Sequence, residues 1–253
     1  MIELRNISGG YDGEKQLSNL SLTIPDQSIT TIIGPNGCGK STLLRIISGL
    51  HKPYSGEVCL NGTAIASMTA NELAKTVSFL PQTRNPANIR AESLVLHGRF
   101  PYMGYPRRYR EEDKKAAREA MEWAGVTHLR KRSVATLSGG ERQKVYIAML
   151  LAQGTPIVLM DEPTSYLDIS HKFDVIRLAQ QMKASGKTVV MVLHELDLAL
   201  EYSDQVILMD KGSIRICASP QNVYKSGFME EIFKIHAGRM ETADGVQYYF
   251  RPI

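Results

Sequence analysis

Segment 34–42 contains the residues whose types and spacing indicate chemistry most directly. It reads Gly-Pro-Asn-Gly-Cys-Gly-Lys-Ser-Thr and fits G-x-x-x-x-G-K-S, the spacing of a phosphate-binding loop. Glycines let the backbone wrap closely around a phosphate because they accept dihedral angles closed to other residues. We expect the whole loop to bind a nucleotide, with Lys40 reaching the outer phosphates and Ser41 holding Mg²⁺. The residues of this predicted loop are Gly34, Pro35, Asn36, Gly37, Cys38, Gly39, Lys40, Ser41 and Thr42.

The alternative for this segment is an ordinary glycine-rich turn that happens to precede Lys-Ser. The flanking residues disfavour it. An apolar strand is predicted at 30–33, and residues 43–50 have helical spacing with a glycine near the end. The N–H groups at the start of such a helix point at a bound anion. Strand, glycine turn and helix together are the context that the motif requires.

Polar side chains follow three further apolar runs, and these runs read as strands of a parallel sheet. They are Gln82, the pair Asp161-Glu162, and His194. Ligands of open α/β sheets bind outside the carboxyl ends of the strands, so we expect these side chains near the phosphate loop. Asp161 is then placed to support Mg²⁺, and Glu162 to orient or deprotonate an attacking water. The alternative for the carboxylates is a cap on the next helix.

Gln82 and His194 are expected to complete this site. Gln82 offers a neutral oxygen to the metal, and His194 can donate a hydrogen bond to a terminal phosphate. A lone histidine is more often structural, and the remaining histidines are interpreted in that way. They are His51, His97, His128, His171 and His236.

The sequence Ser138-Gly139-Gly140 predicts a second anion site at the start of a helix. A plain helix cap by Ser138, completed by Glu141, is the alternative, and both can hold at once. A second phosphate site on one subunit has no nucleotide of its own unless two subunits meet face to face. Tyr11 follows a double glycine and can stack an adenine ring, although a core tyrosine is the alternative.

The elements that position these residues indicate an α/β fold. Alternating apolar runs and helical segments predict a mainly parallel sheet, and residues 1–30 predict an added antiparallel layer. We predict a single domain over 1–253. Its parts are a core with the β layer (1–82 and 137–219), a helical subdomain inserted at 83–136, and a C-terminal helical tail at 220–253. Within the tail we expect a helix near 221–235 and a last strand at 247–250.

Composition is that of an ordinary folded protein, with 43% hydrophobic and 22% charged residues in a chain of 253. The net charge of +4 does not imply nucleic acid, and acidic residues directly follow the short basic cluster at 107–110. The three cysteines are far apart, which disfavours a zinc site or a disulfide framework. The longest apolar stretch is too broken to span a bilayer, so we expect a cytosolic chain that reaches the membrane through a partner.

These motifs, in this order and over nearly the full length, resemble the ATP-binding subunits of ABC transporters. Segment 34–42 is similar to the Walker A loop and 137–141 is the LSGGE signature unchanged, while 157–161 with Glu162 resembles Walker B and its catalytic glutamate. Gln82, His194 and Tyr11 match the Q-loop, the switch histidine and the adenine-stacking position. The loop that usually reads Ser-Ala-Leu-Asp has Tyr166 in place of Ala and retains Asp168.

The resemblance implies an ATPase fold with a phosphate-loop NTPase core, ATP and Mg²⁺ as cofactors, and a head-to-tail homodimer. Each ATP would be bound by the Walker motifs of one subunit and by Ser138, Gly139 and Gly140 of the other, with Asp168 at the contact. It also implies integral-membrane permease subunits beside the Gln82 loop, an indirect extracytoplasmic substrate-binding protein, and a location at the cytoplasmic face of the membrane. No nucleic-acid partner is expected.

Residues 98–102 (Gly-Arg-Phe-Pro-Tyr), 166–169 and 194–199 resemble the importers of ferric siderophores, haem and cobalamin. We therefore expect an iron-chelate importer, with a cobalamin or haem importer as the alternative. A chromosome or repair ATPase is disfavoured because no heptads lie between Lys40 and Ser138. A translation factor usually carries two such cassettes. A regulatory protein that does not hydrolyse ATP is disfavoured by the presence of Glu162, His194 and Gln82.

Overall fold

The computed structural model describes residues 1–11, 14–82, 88–243 and 245–253. The predicted start of the helical subdomain at 83 lies outside these residues. The strands, in chain order, are β1 (Ile2–Tyr11), β2 (Glu14–Ile24), β3 (Ile29–Ile33), β4 (Ser55–Leu60), β5 (Thr63–Ala64), β6 (Val77–Leu80), β7 (Ile157–Asp161), β8 (Thr188–Val192), β9 (Gln205–Asp210), β10 (Ser213–Ala218), β11 (Ile235–Thr242) and β12 (Gly245–Pro252). The helices are α1 (Lys40–Ile47), α2 (Ala70–Thr76), α3 (Ala91–His97), α4 (Glu111–Trp123), α5 (Gly139–Gln153), α6 (Ile169–Ala184), α7 (Leu196–Tyr202), α8 (Pro220–Lys225) and α9 (Phe228–Phe233).

A six-stranded sheet forms the centre of the fold, in the order β10-β9-β3-β8-β7-β6. Neighbouring strands are parallel except for the antiparallel edge pair β9 and β10. Strands β3, β7 and β8 are buried along their whole length, which explains their continuous apolar sequences. Because β3, β6, β7 and β8 are parallel, the residues that follow them emerge at one edge of the sheet.

An antiparallel sheet in the order β2-β1-β4-β5 covers one face of this central sheet. Helix α1 lies in the same apolar core, where Leu43 and Ile47 meet Ile7 and Leu20 of the antiparallel sheet and Val190 of the central one. The opposite face packs against α3, α5 and α6 in a second core. The predicted α/β fold, a mainly parallel sheet with an antiparallel layer and helices, is confirmed.

The C-terminal tail contains one strand, β11, that was not predicted, and its predicted helix is divided in two. It forms two short helices, α8 and α9, and then a two-stranded sheet of β11 and β12. Gly227 (φ 73°) separates the helices, and Lys234 (φ 53°) ends the second one in the left-handed region. Tyr249 pairs with Gly238 across the hairpin and its ring covers that glycine. The division of the chain at 83, 136 and 219 stays a prediction.

Helix α6 begins at Ile169. Asp168 caps it by accepting a hydrogen bond from the backbone N–H of His171 at 2.9 Å. Helices α2 and α7 and strand β10 were not predicted. In the described part of the chain, none of the helices has both the length and the apolar character needed to cross a bilayer.

Candidate functional site

The loop between β3 and α1 has the tight backbone that its glycines predict. Gly39 stands at φ 99°, and a Cβ atom there would overlap the Leu17 side chain. A Cβ atom on Gly34 would overlap the backbone oxygen of Met209 and the Cys38 sulfur. Both positions therefore require glycine, because a side chain would push the loop away from β2 and β9.

Lys40, the first residue of α1, holds its ammonium group inside this loop. The side chain is buried, and Nζ donates hydrogen bonds to the carbonyl oxygens of Gly34 at 2.8 Å and Pro35 at 2.9 Å. An ammonium group has three N–H donors, so it can keep both bonds and still donate to an anion. The loop thus presents a fixed positive charge at the start of a helix, where anions bind most readily.

Asp161 ends β7 directly beside this loop. The hydroxyl of Ser41 donates to its Oδ1 at 2.9 Å, whereas its buried Oδ2 has no hydrogen-bond partner within the described ranges. Burial raises the pKa of this carboxyl, and the neighbouring Glu162 adds to the rise while the Ser41 bond opposes it. A buried carboxylate with an unpaired oxygen is costly by itself, so the arrangement favours a bound cation.

Glu162 is the centre of a hydrogen-bond network at the same edge of the sheet. Its Oε1 pairs with His194 Nε2 at 2.8 Å. Its Oε2 accepts hydrogen bonds from Gln82 Nε2 at 2.5 Å and from Ser165 Oγ at 2.9 Å. Its backbone adopts φ 50°, a left-handed conformation that is uncommon for a non-glycine residue. The structure therefore brings together Gln82, Glu162 and His194, with both oxygens of the carboxylate already engaged.

A cavity of about 640 Å³ lies over the loop and this network. Its walls combine the phosphate loop with the strand-end residues and with side chains from β2 and the segment after β7. The lining residues are Gln16, Asn36, Gly37, Gly39, Lys40, Ser41, Thr42, Gln82, Glu162, Ser165, Tyr166, His194 and Glu195. The cavity is large enough for a small-molecule ligand, and its lining residues are of the types expected at a phosphate-binding site.

Three other residues of the predicted loop, Gly34, Pro35 and Cys38, lie behind the cavity wall. The backbone carbonyls of the first two hold Lys40, as described above. Cys38 is buried, and this burial raises the pKa of its thiol, so the sulfur is a poor nucleophile. We assign Cys38 a packing role, as its position against Gly34 indicates.

Tyr11 lies outside the cavity lining. Its ring rests against His51, with 4.5 Å between the ring centroids, and its hydroxyl accepts a hydrogen bond from Arg45 at 2.9 Å. The side chain is half-buried. Its use as a stacking surface for an adenine stays a prediction.

The predicted second anion site also lies outside this cavity, at the start of α5. Ser138 caps the helix by accepting from the N–H of Glu141 at 3.3 Å, and the Glu141 carboxylate accepts from the N–H of Ser138 at 2.9 Å. Ser138 and Gly139 are exposed. They are therefore accessible to a second subunit, and a nucleotide bound by that subunit is what the predicted second anion site requires.

The imidazole ring of His171 packs against the start of this helix. A Cβ atom on Gly140 would overlap its imidazole ring, and its Nδ1 lies 2.8 Å from Asp168 Oδ1. The backbone N–H of His171 is the main cause that lowers the pKa of Asp168. Asp168 and Gly140 are thus held by one histidine, which keeps the structural role predicted for it.

Sequence reasoning missed four residues at the cavity. Gln16 accepts a hydrogen bond from Thr42 Oγ1 at 2.8 Å and comes from the antiparallel sheet. Ser165, Tyr166 and Glu195 lie within four residues of Glu162 or His194 in the sequence. This closeness to predicted site residues was the signal that could have identified them. Nothing near Gln16 in the sequence indicates a ligand, because only the packing of two sheets brings it to the loop.

Comparisons with known proteins agree with this geometry. A family model described as "ABC transporter" matches residues 17–165. The iron(3+)-hydroxamate import ATP-binding protein FhuC of Bacillus subtilis (strain 168) is 39% identical over 90% of this chain and 86% of its own length. The ferric enterobactin transport ATP-binding protein FepC of Escherichia coli (strain K12) is 42% identical, over 88% of this chain and 83% of that protein. The hemin import ATP-binding protein HmuV of Bradyrhizobium diazoefficiens is 35% identical, over 98% and 93%.

Solved structures show the same architecture. An inward-facing ABC transporter of metal-chelate type superposes with a TM-score of 0.87 and 25% identity, covering 100% of this chain and 97% of the matched one. A dimeric ATP-binding cassette in a post-hydrolysis state, bound to ADP and Pi, superposes with a TM-score of 0.77 and 30% identity. That match covers 87% of this chain and 99% of the cassette.

Proposed function

The chain belongs to the ABC transporter family and is an ATPase of that family, and from this premise we propose that it powers the uptake of a ferric siderophore or a related iron chelate through a membrane permease. The observation that supports this cargo is the function of the relatives, which are ATP-binding proteins for the transport of iron hydroxamate, ferric enterobactin and hemin. A haem importer is the second candidate, because the hemin-import relative matches 98% of this chain.

The residues around the 640 Å³ cavity support ATP hydrolysis there. Lys40 would neutralise charge on the outer phosphates, and His194 would donate to the terminal phosphate. Glu162 would orient or deprotonate the attacking water, as such groups do in phosphoryl transfer. In the conformation described here this carboxylate is shared among His194, Gln82 and Ser165. Closure over ATP must therefore loosen at least one of these bonds before Glu162 can accept from a water.

The donor set beside the loop fits Mg²⁺. The hydroxyl of Ser41 and the unpaired Oδ2 of Asp161 are oxygen ligands, which this cation prefers, and Gln82 can add an amide oxygen. Among the described residues no group of three or more His, Cys, Asp or Glu side chains could hold a metal alone. This agrees with a cation held jointly with phosphates. Once bound, Mg²⁺ would neutralise charge that develops on the phosphates.

We expect two copies of this chain to share each ATP. Ser138, Gly139 and Gly140 stand at a helix start outside the cavity, and the related cassette is dimeric. In the dimer, they would cover the triphosphate held by the partner's phosphate loop. Asp168 and the exposed Tyr166 lie between the two sites and would contact the second copy. The dimer would be bound to the permease at the cytoplasmic face of the membrane. An extracytoplasmic substrate-binding protein would contact the permease and not the dimer itself.

The aromatic-proline loop, residues 100–106, is the surface that we assign to the permease. Tyr105 is fully exposed, and Phe100 is 54% exposed with Arg107 against its ring. Contacts of the neighbouring residue Arg99 fix the position of this loop. Arg99 stacks on Tyr102 at 3.7 Å and pairs with the buried Asp113 at 3.1 Å. A rigidly supported, exposed aromatic pair is typical of a protein docking surface.

Replacing both exposed aromatic residues tests the docking surface, and the type of permease that is retained tests the cargo assignment. We expect Phe100→Ala with Tyr105→Ala to reduce co-purification with a siderophore-type permease at least about tenfold, because exposed aromatic anchors carry much of an interface's free energy. The measurement is the amount of permease retained on the tagged chain, together with uptake of a radioactive ferric chelate. Tyr249→Ala, which removes a 48% exposed aromatic residue of the tail hairpin, is the matched control. Retention only of amino-acid or sugar permeases by the unaltered chain would overturn the proposal.

Asp161→Asn tests the metal assignment without measuring turnover. The folded-state pKa of Asp161 is raised, so its contribution to stability is present below its unfolded pKa and is lost as the pH rises through the folded value. At neutral pH, removing this charge should raise the melting temperature of the nucleotide-free protein by about 2 °C. The same variant should lose the further rise that Mg²⁺ adds to the effect of ATP. An unchanged magnesium-dependent rise would contradict the assignment.

A further inference from the structure

Glu195 follows His194 and joins two segments that adjoin the cavity. It precedes α7, yet its side chain does not cap that helix. Instead Oε2 accepts a hydrogen bond from Thr164 Oγ1 at 2.9 Å, and Oε1 forms an ion pair with Lys172 Nζ at 2.5 Å. One carboxylate thus ties the loop that carries His194 to the segment that follows β7 and to the first turn of α6.

The two partners of Glu195 bracket the segment between β7 and α6. Thr164 is buried and lies two residues after Glu162, and Lys172 follows the helix cap Asp168. Between them, Tyr166 is 98% exposed and adopts φ 63°. This backbone conformation is uncommon for a non-glycine residue, and the exposed ring offers apolar area and a hydroxyl group to a contacting protein. A second copy of the chain is the expected contact, so this segment is where dimer closure would first act.

The bonds of Glu195 are suited to transmit a displacement. Its carboxylate is mostly sheltered from solvent, as is the Lys172 ammonium. Burial opposes ionisation of Glu195, but the hydrogen bonds from Lys172 and Thr164 outweigh it and lower its pKa. A charged hydrogen bond in such surroundings is about twice as strong as a neutral one and is strongly directional. A shift of Thr164 or Lys172 would therefore pull Glu195 and, with it, the adjacent His194.

We propose that Glu195 is a positioning residue for ATP hydrolysis, which through Thr164 and Lys172 sets His194 relative to Glu162 when a second copy packs on Tyr166. His194 Nε2 and Glu162 Oε1 lie 2.8 Å apart. Through the bonds of Glu195 to Thr164 and Lys172, a contact at Tyr166 can change the position of His194 relative to Glu162. The inference rests on the ATPase activity of the family and not on the iron cargo, so a wrong cargo would leave it intact.

A double-mutant cycle on the ion pair tests the proposal. Glu195→Gln keeps the shape of the side chain and removes its charge, and Lys172→Met removes the partner charge. Each should lower kcat about tenfold while leaving KM for ATP within about twofold, because the substitutions remove a charged hydrogen bond that holds the loop of His194 and leave the residues that bind ATP unchanged. The double variant should be no slower than either single one. Additive losses, or an unchanged kcat in both single variants, would overturn the coupling.

The ion pair Lys144–Asp174 provides a matched control on the same helix. It joins α5 to α6 at 3.0 Å and is similarly sheltered, but it has no bond to the loop that carries His194. Lys144→Met and Asp174→Asn should cost comparable thermal stability and leave kcat within about twofold. Equal losses of kcat in both pairs would assign the effect to the stability of α6 and overturn the positioning role.

Rescue by a conservative change completes the test. Lys172→Arg retains the positive charge opposite Glu195 and should recover most of the kcat lost in Lys172→Met. If Glu195→Gln does not fold, the Lys172 variants decide the question alone. ATP-dependent dimerisation, measured in a Glu162→Gln background, should be unaffected by Lys172→Met. A loss of dimerisation parallel to the loss of kcat would show that the pair acts on assembly rather than on His194.

Discussion

Lys40→Ala is expected to raise the dissociation constant for ATP by about a hundredfold, because one charged hydrogen bond to a phosphate contributes roughly 3 kcal/mol. The ammonium group is buried at the start of α1 and is already oriented by the carbonyl oxygens of Gly34 and Pro35. Binding therefore needs little reorganisation of the side chain, and its loss removes a preorganised charge. Calorimetric titration of ATP into the purified variant measures the effect.

The same substitution leaves two loop carbonyl oxygens without their donor, so a general loss of folding must be separated from a loss of binding. Thermal unfolding of the nucleotide-free variant serves this purpose. Lys144→Met, which removes a half-buried lysine outside the cavity lining, is the control and should bind ATP like the unaltered protein. An ATP dissociation constant that Lys40→Ala leaves unaltered would contradict the assignment of segment 34–42.

Glu162→Gln is expected to lower steady-state turnover at least about a hundredfold while preserving ATP binding, since a general base contributes roughly 10²–10⁴ to the rate. The amide has the size of the carboxylate and keeps an oxygen that can accept from Gln82 or Ser165, so the network around it should largely survive. It can no longer take a proton. If hydrolysis reopens the dimer proposed above, ATP should then trap a stable dimer.

Phosphate release and light scattering with and without ATP measure the two parts of this prediction. Glu241→Gln, a carboxylate change in the tail hairpin far along the chain, should alter neither quantity. Normal turnover by Glu162→Gln would remove the role assigned to this residue. Lost turnover without a dimer would instead retain the hydrolytic role and contradict the shared site at Ser138.

The local motifs of this protein can be derived from sequence because their chemistry depends on spacing along the chain. A strand, a glycine turn and a helix suffice to specify the anion site at 34–42, and Ser138 with Glu141 specifies a helix cap. The residues after β6, β7 and β8 could be assigned to one edge, since parallel strands end together.

Other features depend on which strands become neighbours, and the chain order does not show this. The central sheet places β3 between β8 and β9, which are more than a hundred residues away in sequence. The packing of the antiparallel sheet against α1 lets Gln16 support Thr42, and the pairing of β7 with β8 brings Glu195 close to Lys172. The hairpin of β11 and β12 was only partly predicted, for a related reason. Its strands are only partly buried, and pairing such as that of Gly238 with Tyr249 defines them more than any apolar pattern.

The amino-acid sequence by itself determined the glycine loop and helix start at 34–42, the positions of Asp161, Glu162 and His194 at strand ends, and the family, because each is encoded within a few consecutive residues. The tertiary structure alone decided that Glu162 is held by three side chains and that His171 lies beneath Gly140. It also decided that Glu195 connects the histidine loop to α6. These are contacts between segments far apart in the chain, and their geometry exists only once the sheets and helices have packed.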